Sequence, residues 1–129
     1  MQNMAGVQAD LIAIKPDTTP TEEQKQKLAR DLLAAVTDPI KPSAGSVDKL
    51  SSELAATFSE KAVSTASRAR LVQELDAVLN PSKYPQVKLD GIYADIPVIL
   101  DRHGISQSRA QLLTAAVKAV AAECRGQKS

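Results

Sequence analysis

Residues 89–106 read LDGIYADIPVILDRHGIS, and 42 positions earlier residues 47–64 read VDKLSSELAATFSEKAVS. Laid over one another without a gap, the stretches match Val47 with Leu89, Leu50 with Ile92, Leu54 with Ile96, Phe58 with Leu100 and Val63 with Ile105. Asp48 meets Asp90, and Ser64 meets Ser106. Apolar side chains recurring every three to four residues form one stripe along a helix, so each stretch predicts an amphipathic helix that ends in a turn. The second turn is the better defined. Gly104 takes the left-handed position after the helix, which makes Leu100 and Ile105 the hydrophobic pair of a Schellman stop. Ser106 follows as the cap of the next helix, its hydroxyl placed to accept from an amide that has no partner inside that helix.

The same offset extends outward. Ala29, Leu71 and Leu113 align, as do Leu33, Leu75 and Val117, and then Val36, Val78 and Val120. Pro39 and Pro81 both fall just past a helix, where a residue without an N–H prevents continuation. Any two amphipathic helices can be slid until their stripes agree. Chance does not easily give one offset that serves two classes of helix, a turn and a proline together. Two such units and a leading helix are fewer than the three repeats an open stack requires. The pattern therefore predicts an all-α fold: a compact five-helix bundle of two pseudo-repeated helix-turn-helix units, with period 42, plus a leading helix.

The expected domain spans 19–126, preceded by a weakly ordered N-terminal arm at 1–18 and followed by a tail at 127–129. Thr19-Pro20-Thr21-Glu22 predicts the leading helix, with Thr19 as cap, Pro20 in the first turn and Glu22 closing a capping box; its apolar face is Leu28, Leu32, Leu33 and Val36. Further helices are predicted from about Val47 to Lys61, from Ser64 to Asn80, through Leu89 to Leu100, and from Ser106 to about Arg125. Pro97 predicts a kink in the fourth, or a start delayed to about Asp95.

Composition narrows the classes of function. In 129 residues, 43% apolar and 24% charged, there is enough to bury for one globular core. Aromatics are only 2%, which suits close-packed helices better than sandwiches or barrels. The net charge of +1 gives no overall field to steer polyanions or anionic lipid. The first residues lack a basic segment and carry Asp10, and no stretch reaches the apolar length of a membrane span. The compartment stays open between cytoplasm and, with a signal removed, a secreted or periplasmic location. One cysteine, Cys124, excludes an internal disulfide.

Chemistry is sparse. There is no nucleophile elbow, glycine-rich phosphate loop or paired-carboxylate motif, so neither catalysis nor a cofactor is expected. Asp90, Asp95, Asp101 and Cys124 have no metal-ligand spacing, and the loop from Asp38 to Lys49 has too few carboxylates for calcium. His103, in the last turn of its helix, reads as a partner of the helix dipole. Cys124 reads as a small buried hydrophobe. Tyr84 and Tyr93 flank the loop at 81–88 and are the candidate partner-binding residues, tyrosine being enriched at interfaces; the plainer reading has them lidding the core. Gln107, Ser108, Arg109 and Gln111 open a helix after a glycine turn, as in a DNA-binding helix-turn-helix, where they would face the major groove. Near-zero charge and the corresponding turn at Ala62-Val63-Ser64 weigh toward packing instead. The expected function is a non-catalytic helical scaffold or protein-interaction module, its ligand a protein partner or a second copy. DNA binding is the alternative, and a small apolar ligand between helices a third reading.

Overall fold

The computed structural model describes residues 4–126. Their regular structure is helical throughout: α1 (Ala5–Ala13), α2 (Glu22–Ala34), α3 (Ala44–Glu60), α4 (Thr65–Leu79), α5 (Leu89–Arg102) and α6 (Gln107–Cys124), with a 3₁₀ turn at Pro81–Lys83. Serines 43, 64 and 106 cap α3, α4 and α6, each hydroxyl accepting from the amide three residues on. At the end of α5, Gly104 has φ +78°. There the Ile105 N–H donates to the Leu100 carbonyl and the Gly104 N–H to that of Asp101, both at 3.1 Å. These are the two bonds of a Schellman stop.

Six helices replace the five expected, because α1 forms within residues 1–18. Met4, Val7, Leu11 and Ile14 are buried on one face of it, and it packs on α2, α3 and α4. No side chain caps its start, so the usual entry signal is missing. The cap of α2 is Thr21 rather than Thr19. Its hydroxyl accepts from the Gln24 N–H at 3.1 Å, and the Gln24 side chain accepts from the Thr21 N–H at 2.9 Å. Both threonines have Glu or Gln three residues on; Gln24 also donates to the Ala13 carbonyl at 3.4 Å, which joins this cap to the end of α1. Helix α3 starts three residues before Val47, at Ala44, on its Ser43 cap. Helix α5 continues through Pro97 instead of starting at Asp95, held by Ile92 and Ile96, both buried. Leu33, read as core-facing, is 40% exposed. The predicted tail at 127–129 lies outside the described residues.

The core centres on α6, which packs on α3, α4 and α5, while α2 covers α3. Helices α3 and α6 run antiparallel and close each other's ends. Glu60, the last residue of α3, accepts from the Ser106 N–H at 2.6 Å; Glu123, in the last turn of α6, accepts from the Ser43 N–H at 2.7 Å and from the Ser46 hydroxyl. Each helix so places a carboxylate at the positive end of the other. Beside this pair, the fully buried Asn80 ends α4. Its amide donates to the Ala35 carbonyl and to Asp76, and its oxygen accepts from the Thr37 N–H and hydroxyl. Arg125 donates to the Val78 and Ala121 carbonyls at 3.0 Å each, satisfying groups orphaned at helix ends.

Candidate functional site: a cleft between α4 and α5

Helices α4 and α5 share little direct contact, and residues 81–88 cross between them. The result is a cleft of about 430 Å³, inside the range of roughly 300–1,000 Å³ usual for ligand sites. Ala77, Ile92 and the exposed Val87 supply its apolar surface, while Arg70, Gln73 and Lys88 supply polar groups. The crossing segment is anchored at two points. The Ser82 N–H donates to Asp38 at 3.0 Å, and the Tyr84 hydroxyl donates to the buried Asp76. That second bond, with burial, pushes the Tyr84 phenol above its ordinary range.

At the base stand Glu74 and Asp95. The Arg70 guanidinium donates to both oxygens of Asp95, at 2.7 and 3.0 Å, a bidentate pairing that uses the flat fork of arginine. Glu74 receives no such donor. Its Oε1 is fully buried, and no N–H or O–H of the described residues reaches it. Burial first, and then the neighbouring Asp95, push the Glu74 carboxyl up to about 8, so at neutral pH it is largely protonated and donates to Asp95. That bond, with Arg70, holds Asp95 below its ordinary range against the opposing effect of burial. Behind Glu74 lies an internal void of about 10 Å³, walled by Leu54, Leu71, Ile96 and Leu113 among others, at the lower limit for one water.

Of the sequence-predicted residues, Tyr84 lines this cleft and Tyr93 does not. Both are half-buried against the core, and the Lys118 ammonium sits 5.2 Å from the Tyr93 ring centroid. Gln107, Ser108 and Gln111 are exposed on the first turns of α6. Arg109 is engaged, 2.7 Å from Glu53 and 3.9 Å from Glu60. His103 donates through Nδ1 to the Ile99 carbonyl at 2.9 Å. Cys124 is buried, and burial pushes its thiol up to about 11, which leaves it a poor nucleophile. Among the described residues no three His, Cys, Asp or Glu side chains converge as metal ligands, and no helix is long and apolar enough to cross a membrane.

Sequence reasoning missed Arg70 and Glu74 and met Asp95 only as a non-ligand. One signal was there to be read. Glu74 falls on the apolar stripe of α4, between Leu71 and Val78 and beside Leu75, where a carboxylate must find a partner or take up a proton. Compared with protein-family models, with curated proteins and with solved structures, the chain matches none.

Proposed function

We propose that the protein is a non-catalytic, partner-binding helical module whose contact surface is the cleft between α4 and α5. The observation that carries this reading is the cleft's make-up: an apolar floor at Ala77, Ile92 and Val87 with a polar rim at Arg70, Gln73, Lys88 and Tyr84. Protein interfaces combine an apolar centre with a polar rim in this way, and tyrosine and arginine are enriched in them. A partner segment and a second copy of the chain both fit the reading. DNA binding through Gln107, Ser108, Arg109 and Gln111 has less behind it, since the arginine that would approach a phosphate or base is engaged by Glu53 and Glu60.

Gly91 offers a direct test. It borders the cleft, and a side chain added there meets nothing within 4 Å, so Gly91→Trp occupies the space without disturbing the core. Wild type and variant, matched in melting temperature, are used to capture partners from the native source. The expected result is a partner retained by wild type and lost by the variant. A partner held equally by both removes the cleft from the reading.

We further infer that the chain is a duplicated helical hairpin, α3–α4 followed by α5–α6, joined to leading helices. Supporting this are the 42-residue framework, the serine caps at 64 and 106, and helices α3 and α5 ending at Glu60 and Arg102, the same interval apart. The acids that pair with arginine on a facing helix, Glu53 with Arg109 and Asp95 with Arg70, keep that interval too.

A further inference from the structure

The walls of the α4–α5 cleft carry more positive than negative charge. On α4, the Arg70 side chain is 60% exposed and lines both the cleft and a shallow groove that continues along the helix over Ala66 and Ala69. Its Nε and Nη2 hold Asp95, whereas Nη1 meets no acceptor among the described residues. Lys88 is exposed where the crossing segment enters α5; it lines the same cleft and makes no ion pair among the described residues. Arg102 acts on Asp95 from farther along α5. Against these cations stand Asp95 and Glu74, so the sign is positive even with both acids ionised, and burial keeps Glu74 protonated at neutral pH. Lys83 and the buried Asp76, 3.8 Å apart, offset each other, and Asp90 acts on Tyr93, outside the cleft.

We propose that the cleft takes an acidic segment of the bound partner, with an apolar side chain on Ala77, Val87 and Ile92 and a carboxylate to either side, one held by Arg70 and one by Lys88. A net charge of +1 gives the chain no overall field, so attraction has to come from a local patch such as this one. Asp95 fixes the guanidinium before the partner arrives, and Arg70 therefore loses little freedom when Nη1 takes a second carboxylate. Lys88 stands seven residues before Asp95, which along a helix sets the two cation sites about 10 Å apart, with Ile92 between them. Alternate residues of an extended chain share a face, so acid, apolar and acid at every other position present the three groups in this order. Two entering carboxylates and Asp95 then balance Arg70, Lys88 and Arg102, while Glu74 keeps its proton. A basic segment would add to the positive excess. This inference rests on the cleft being the contact surface proposed above.

The test uses the full chain with three capped peptides, acetyl-X-Gly-Leu-Gly-X-amide, in which X is Glu, Gln or Lys, and with sodium acetate as the control that lacks an apolar side chain. Amide spectra should show saturable shifts at Ala77, Gly91 and Ile92 with the Glu peptide. The isosteric Gln peptide should bind at least about fivefold more weakly, charge-assisted bonds being the stronger kind, and the Lys peptide should not bind. Affinity for the Glu peptide should fall as salt rises to about 0.15 M, since exposed charges are screened. Lys88→Glu puts an acid where a helix start favours one, so folding holds, and it should lower the affinity for the Glu peptide toward that for the Gln peptide. Glu74→Gln, a neutral group for a neutral group, should leave the Glu peptide bound as before, and Gly91→Trp should abolish its binding. Glu and Gln peptides that bind alike, a Lys peptide that binds as well, no binding to wild type, or an affinity that Lys88→Glu leaves in place overturns the proposal. Acetate that shifts the same amides at the same concentrations overturns the segment as the occupant. A native partner lost on Gly91→Trp but retained by Lys88→Glu keeps the contact surface and removes the acidic segment.

Discussion

Helices α1 and α4 carry the same short pattern, Val7-x-x-Asp10-Leu11-x-x-Ile14 and Leu71-x-x-Glu74-Leu75-x-x-Val78, which sets one acid on an apolar stripe. Each acid meets an aspartate of the next helix, Asp31 or Asp95, and each pair has one cation beside it. The outcomes differ. Asp10 rises to about 6, chiefly through burial and the shared proton with Asp31, with Lys27 pulling the other way. Glu74 rises to about 8. Lys27 is a compact charge that reaches both carboxyls, whereas the Arg70 fork is used up on Asp95. A cation lowers the cost of a buried acid pair mainly when it touches both members.

The largest expected break in this comparison is Leu113→Ala, which widens the void behind Glu74. It should cost about 2–5 kcal/mol in urea unfolding. By admitting water, it should also bring the Glu74 titration, followed by carboxyl-carbon NMR, down from about 8 toward its ordinary 4.5.

Next comes Glu74→Gln. In the native chain Glu74 is protonated in both states below about 4.5, so it carries no penalty there; between 4.5 and about 8 the unfolded chain loses the proton first and stability falls. The variant should lack this decline and gain about 1–2 kcal/mol on wild type at pH 9 relative to pH 4, allowing for solvent screening. A wild-type stability curve flat from pH 5 to 8 would remove the protonated Glu74.

Smaller still is Lys27→Met, which should make the first pair behave like the second. The Asp10 midpoint should climb from about 6 toward that of Glu74, extending the pH range over which stability falls. A midpoint that stays put would show that Lys27 does not bridge.

Smallest is Gly6→Ala on α1. Its added carbon lies 3.2 Å from the Asp31 side chain, so Asp31 must shift by a few tenths of an ångström while the helix gains alanine propensity. The net change should be within about 0.5 kcal/mol, visible as a moved Asp10 midpoint rather than in the melting curve.

Much of the helical framework was legible in the sequence because its signals are local. Ser64, Ser106 and Gly104 act through bonds spanning three to five residues, and their neighbours along the chain suffice to place them. Helix α1 was legible in part: Met4, Val7, Leu11 and Ile14 have helical spacing, but no cap announces the start. The cap of α2 was ambiguous between Thr19 and Thr21, and it took the bond from Gln24 to Ala13, reaching back to a helix not foreseen, to choose. Of the candidate site, only Tyr84 was read. Glu74 and Asp95 stand on different helices, and nothing along the chain pairs them.

By itself, then, the sequence determined that the chain is helical, where the turn at Gly104 falls, and which serines start α4 and α6, since those choices are made by backbone groups and side chains within one turn of each other. Tertiary structure alone decided that α3 and α6 form the antiparallel centre with Glu60 and Glu123 at each other's ends, that α4 and α5 stay apart around a cleft, and that Glu74 keeps its proton while Asp10 shares a lysine. Those outcomes depend on where burial and charge from distant residues coincide, and that is settled only when the helices pack.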